Sequence, residues 1–233
     1  FGGFEEAAAV LGLLDPKIPV VVASFDYPFD PPRRFEFPES LQFAPQAKRA
    51  VRETLVGINE LVSALKKRGD VDPTRIFIVG ASFGAPFAVA AAAENHDLAG
   101  LAVVHGFGDV PDTVQAILET KWAPKLHFLA RPLAWALSHG AWAFLQAPAP
   151  EEEARKLGAG QRVLMVTAED DTIVPRKNVD ALWDAIKSSK ASHQRIDLPG
   201  DHLRPGATDL IARIQKLVSE WIEKTQPTAD GVK

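Results

Sequence analysis

The sequence predicts an α/β fold with a mainly parallel sheet and helices on both of its faces, and three observations carry that prediction. Short runs of apolar, largely β-branched residues recur along the 233 residues, among them Val20–Phe25, Ile76–Val79 and Leu101–Val104. Between them lie segments whose apolar residues are spaced by three and four, the signature of a helix with one buried face. The two signals alternate instead of segregating, and alternation is what crossovers between parallel strands produce.

Phe1-Gly-Gly-Phe4 reads as a glycine-rich loop that opens a helix over Glu5–Leu14, with Glu5 and Glu6 in the first turn where the helix dipole favours them. Asp15-Pro-Lys-Ile-Pro19 breaks that helix, and Val20–Phe25 is a buried strand. Asp26–Pro45 holds five prolines and is a surface loop. Pro45 starts a long amphipathic helix to about Arg68, with Val51, Leu55, Ile58, Leu61, Val62 and Leu65 on one face. Gly69 ends it, and Asp72-Pro73 turns the chain into Ile76–Val79, a strand read as buried on both faces. Gly80-Ala-Ser-Phe-Gly84 follows at once, then the alanine-rich helix Ala85–Ala93. Further strands are expected at Leu101–Val104, Gln161–Thr167 and Gln194–Leu198, and helices at Val179–Ser188 and Thr208–Lys224. No internal repeat is visible, and the tail after Pro227 is expected to fray.

One stretch interrupts the alternation. Asp112–Pro150 has no strand signal and carries Trp122, Trp135 and Trp142, three of the five tryptophans. It reads as a helical cap over a pocket, with a pair of core helices as the plainer alternative. The expected division is a first core part at 1–111, the cap at 112–150, a second core part at 151–226 and a tail at 227–233.

Apolar residues make up 46% and charged residues 24%, and the net charge is −4, which argues against a nucleic-acid surface. The chain has no cysteine, so disulfide and thiolate chemistry are excluded. That composition fits cytoplasm or export; Phe1–Leu14 lacks the basic start of a signal peptide, which favours cytoplasm. The longest apolar window, Leu126–Gln146, contains Arg131 and two histidines and is not read as a membrane span.

Ser82 is the first candidate for chemistry. A strand, G-x-S-x-G and a helix in succession form a tight turn that lifts the serine hydroxyl above the sheet, the flanking glycines leaving room. A helix N-cap serine is the alternative. A nucleophilic serine needs a base to take its proton and a third group to orient that base. Two later strand ends offer such groups: Ala168-Glu-Asp-Asp-Thr-Ile-Val-Pro175 and Pro199-Gly-Asp-His202. Both belong at the carboxyl edge of the sheet, beside Ser82. The N–H of Phe83, the residue after the serine, is the expected first donor to an oxyanion. No histidine–carboxylate spacing suggests a metal site, and no cofactor is expected.

With the elbow, the acid run and the late histidine in this order, the chain resembles an α/β-hydrolase-fold serine hydrolase of the esterase, lipase and dienelactone-hydrolase-like superfamily. The resemblance implies Asp171 as the acid, because the family's run G-x-x-D-x-x-V-P aligns with Ala168 to Pro175; Asp170 is the alternative. It implies His202 as the base. It also aligns Phe1-Gly2-Gly3 with the end of the family's H-G-x-G-G loop, which makes the Phe1 N–H the second oxyanion donor. His105-Gly-Phe-Gly108 resembles that loop too, but it follows the serine and reads as a strand end near the pocket. The family's opening strands, one of which would lie beside Ile76–Val79, are missing from the sequence, so an N-terminally incomplete chain or a substitute segment is expected.

The function so implied is hydrolysis of a small acyl substrate, an ester with a hydrophobic portion, through an acyl-enzyme, with Trp122, Trp135 and Trp142 lining the pocket. Dienelactone hydrolases of this resemblance use a cysteine that is absent here. An acyltransferase or thioesterase with the same triad, and a non-catalytic binding protein, are the alternatives. Oligomeric state is not legible.

Overall fold

The computed structural model describes residues 20–24, 26–29, 42–204 and 206–224. Its centre is a four-stranded parallel sheet in the order β1 (Phe77–Ala81), β2 (Gly100–Val104), β3 (Arg162–Ala168), β4 (Ser192–Leu198). Register is continuous across it: Ala81 stands beside Val104, Val104 beside Val166, and Ala168 beside Leu198. The carboxyl ends therefore share one edge, and the loops that follow them emerge together.

The helices among the described residues are α1 (Ala44–Lys66), α2 (Ala85–Glu94), α3 (Val110–Leu126), α4 (Ala130–Leu145), the single turn α5 (Pro150–Ala154), α6 (Arg176–Lys187) and α7 (Thr208–Lys224). One face of the sheet presents Leu101, Val103, Val163 and Met165 to α2 and α6. The other presents Ala102, Val104, Leu164 and Val166 to Ile214 and Val218 of α7, with Trp221 packed beside them. Central strands buried on both faces need continuous apolar runs, and β2 and β3 supply them. Each fully buried leucine or isoleucine in these layers, such as Leu182 and Ile186, contributes about 1.5–3 kcal/mol. The alanines of α2 have a different role. Ala85, Ala88 and Ala92 keep the helix surface low, so its backbone lies close against β1 and β2.

Elements expected from sequence at 76–79, 101–104, 161–167 and 194–198 are strands, and those at 45–68, 179–188 and 208–224 are helices, with ends shifted by a few residues. Two expectations need correction. Val20–Ser24 is not a strand: its described residues are irregular, and Val20 and Val21 are each 44% exposed. An extended apolar segment becomes a strand only against a neighbour's backbone, and none of the described strands pairs with it. Nor is the elbow strand buried on both faces. It stands at the edge of the described sheet, and Val79 is 52% exposed. The helix expected over 5–14, Phe1 as the expected second oxyanion donor, Phe25, most of the proline-rich loop and the tail lie outside the described residues.

The 112–150 stretch is helical, as α3 and α4 joined by the 3-10 turn His127–Leu129. The two helices pack chiefly on each other. The buried positions of α4 are Ala130, Ala134 and Ser138, and the pair joins the margin of the core through Val110, Val114 and Trp142. Among the described residues no helix is long and apolar enough to cross a membrane.

Candidate active site

At the end of β1 the backbone enters the left-handed region at Ser82, with φ 48°. A non-glycine residue avoids that region unless the surroundings impose it. Here the chain reverses from strand to α2 within three residues, and Gly80 permits it. A Cβ at Gly80 would meet the Ala88 Cβ at 2.4 Å and the Gly84 carbonyl oxygen at 2.9 Å. Gly84 has no such constraint: a Cβ there would meet nothing within 4 Å, and its φ is −77°. Only one of the two glycines is thus sterically required.

The Ser82 hydroxyl does not cap a helix. It lies 2.8 Å from Nε2 of His202. The other ring nitrogen, Nδ1, lies 2.7 Å from Oδ2 of Asp171. Because Asp171 is a carboxylate, Nδ1 carries the proton and donates it, leaving the Nε2 lone pair directed at the serine. Oδ1 of Asp171 accepts the backbone N–H groups of Ile173 at 2.9 Å and Val174 at 2.8 Å. Burial pushes the Asp171 carboxyl up, but the hydrogen bonds from His202, Val174 and Ile173 outweigh it and hold the group below the usual carboxylate range. The side chains of His202 and Asp171 are 4% and 7% exposed, so the pair is nearly dry.

The loops that carry these two residues are tied together by Asp201. Its Oδ1 accepts the N–H of Thr172 at 2.8 Å and of His202 at 2.7 Å, and Oδ2 accepts from Arg204 at 2.8 Å. Those backbone donors, Thr172 first, hold its carboxyl down at about 2. Asp170, the alternative acid, is exposed, and its N–H donates to the Gly200 carbonyl instead.

His105 completes the cluster, and sequence reasoning assigned it no more than a strand end. It follows β2, has φ 49°, is 2% exposed, and stands edge-on to His202 with ring centroids 5.3 Å apart. Its Nδ1 accepts the N–H of Leu203 at 2.9 Å, so the proton sits on Nε2, which is buried without a partner among the described residues. Burial, the main cause, pushes it down to about 4, which keeps the ring neutral. His105, Asp171 and His202 form a cluster of metal-ligand type that no spacing in the sequence announced. Every lone pair in it that a cation would need on the rings is engaged: Nδ1 of His105 by Leu203, Nε2 of His202 by Ser82.

The Phe83 N–H opens the turn into α2, where the first backbone N–H groups have no partner within the helix. The Phe83 side chain is 42% exposed and meets Phe107 edge-on at 5.5 Å, which puts an apolar wall next to the serine. The three tryptophans diverge. Trp142 packs against the core, Trp122 is half-buried, and Trp135 lines an open cleft of about 530 Å³ with Asp109, Asp112, Arg131 and His139. Ser82, Asp171 and His202 are not among the residues lining that cleft.

Comparison with known proteins identifies the fold and the family. Residues 34–201 match the model of the dienelactone hydrolase family. The sequence matches no curated protein. Among solved structures, acetyl xylan esterase 1 from Thermoanaerobacterium sp. superposes with a TM-score of 0.52 at 13% identity, over 74% of this chain and 52% of that one. An esterase from Pyrococcus furiosus gives 0.53 at 16%, over 73% and 60%. An α/β-hydrolase from Penicillium sp. gives 0.51 at 17%, over 75% and 72%. The chain thus spans about half the length of the acetyl xylan esterase. The shared fold is the α/β-hydrolase fold, as the resemblance implied.

Proposed function

Because the chain belongs to the dienelactone hydrolase family, we propose that it is a serine hydrolase that cleaves an ester with a hydrophobic portion through an acyl-enzyme. The observation that carries this reading is the unbroken chain of hydrogen bonds from Ser82 through His202 to Asp171. The printed descriptions of the Thermoanaerobacterium and Pyrococcus structures, both esterases, support the ester class.

In this mechanism the neutral imidazole of His202 takes the Ser82 proton at Nε2 as Oγ attacks the ester carbonyl. The imidazolium that forms is held by Asp171, already ionised and oriented by two backbone N–H groups. The oxyanion forms against the Phe83 N–H, with the Phe1 N–H as the proposed second donor. His202 then gives its proton to the leaving alcohol. A water activated by the same nitrogen hydrolyses the acyl-enzyme and restores the serine.

The absence of cysteine bears on the first step. Where dienelactone hydrolases use a cysteine, this chain has a serine, and a hydroxyl has no appreciable ionised fraction near neutral pH, so attack depends wholly on His202. The Phe83–Phe107 wall beside Ser82 favours an apolar acyl or alcohol part. A series of p-nitrophenyl esters of graded acyl length tests the reading. Turnover is expected to rise with chain length over the short esters and to fall at least about a thousandfold in Ser82→Ala. Equal turnover by Ser82→Ala and the wild type would refute it.

A further inference from the structure

In the outlying pair α3–α4 the buried positions of α4 are all small, while several large apolar side chains are exposed. Inward, α4 presents Ala130, Ala134 and Ser138. Outward, at the bend between the helices, Phe128 is 84% exposed, Leu129 45% and Leu133 48%. Helices of globular proteins place their large apolar side chains the other way round, and a cluster so reversed marks a surface that meets something apolar.

Charge says what that is. From Thr120 to Pro150 the sequence has no aspartate or glutamate, although the whole chain is acidic at −4. Lys121 and Lys125 stand one turn apart near the end of α3, and Arg131 stands in the first turn of α4. All three are exposed, and neither lysine makes an ion pair among the described residues. Arg131 only approaches Glu119, at 3.9 Å, and keeps 83% of its side chain in solvent. Exposed aromatic and leucine side chains flanked along the chain by cations are the chemistry of an interfacial membrane contact, in which the apolar groups enter the acyl boundary and the cations meet anionic headgroups. A second copy fits less well, since a twofold contact through this patch would set cation against cation.

We propose that the α3–α4 bend docks the protein onto an anionic lipid surface through Phe128, Leu129 and Leu133, with Lys121, Lys125 and Arg131 on the headgroups. The contact lies on the surface and does not span it, in keeping with the lengths of the helices. This does not depend on the proposed hydrolysis, and its test does not use activity.

Co-sedimentation of the full chain with sucrose-loaded vesicles decides it. Wild type is expected to bind vesicles of phosphatidylcholine with 30% phosphatidylglycerol, at least tenfold more than pure phosphatidylcholine, at about 50 mM salt, and to release at about 500 mM as the charges are screened. Phe128→Ser/Leu129→Ser/Leu133→Ser is expected to abolish binding with its circular dichroism unchanged. Lys121→Gln/Lys125→Gln, which touches only exposed ends, is expected to weaken binding about fivefold per charge removed. No binding to anionic vesicles at low salt, or binding unchanged by the lysine pair, overturns the proposal. So does light scattering that shows a dimer in the wild type and a monomer in the triple variant, because the face would then belong to a second copy.

Discussion

Gly80 and Gly84 look equivalent in the pentapeptide, yet the structure separates them. Gly80→Ala forces a Cβ to within 2.4 Å of Ala88 and is expected to cost about 1–3 kcal/mol by denaturant unfolding, as overpacking does. Gly84→Ala enters open space at an ordinary helical φ and is expected to be neutral or to stabilise by about 0.4–1 kcal/mol through the unfolded state. Equal losses from the two would contradict the steric account of the turn. His105 is a second test at this scale. His105→Leu leaves the Leu203 N–H unpaired and puts a branched aliphatic side chain at φ 49°, so a loss of about 1–3 kcal/mol is expected. The pH dependence follows in sign. With the folded ring pushed down to about 4 and the unfolded one near its ordinary value of 6.5, the unfolded state binds the proton first. Stability therefore falls as pH drops from about 6.5 to 4, by on the order of 2 kcal/mol once solvent screening is allowed for. That slope is expected to disappear in His105→Asn, a residue that tolerates the left-handed backbone, when chemical unfolding is followed across the same pH range.

At the scale of elements, the site is made by two loops brought together, those after β3 and β4. Asp201 joins them by accepting from Thr172 on one and His202 on the other. Asp201→Ala is expected to lower kcat about tenfold with KM little changed, because it loosens the imbalance-sensitive distance from His202 to Ser82 without touching a substrate site. A pure rise in KM would place Asp201 in substrate binding instead. Much of this was legible in the sequence. Ser82 and Asp171 each follow a short apolar run and His202 follows the last strand, and strand ends in a parallel sheet share an edge, so order along the chain became proximity in space. The clamp was not legible, since an aspartate before a histidine carries no sign of which backbone groups it will accept. His105 was read only as a strand end for a similar reason: its partner, the Leu203 N–H, lies 98 residues away. Val20–Ser24 shows the opposite failure. Its β-branched run has the composition of a strand, but pairing depends on a neighbour, and composition does not supply one.

For the molecule as a whole, acid should act on fold and site together. Asp171 and Asp201 both have carboxyls held below the ordinary range, so each contributes stability that is present above its unfolded value and is lost as pH falls through its folded one. The central claim is that Ser82 is made nucleophilic by the folded arrangement around it. Labelling with a fluorophosphonate, followed by peptide mapping, tests that most directly. The account predicts one phosphonylated residue, Ser82, in the folded wild type, with the adduct lost in His202→Ala and in urea. Absence of label on Ser82 in the folded protein, or equal labelling after unfolding, would contradict it.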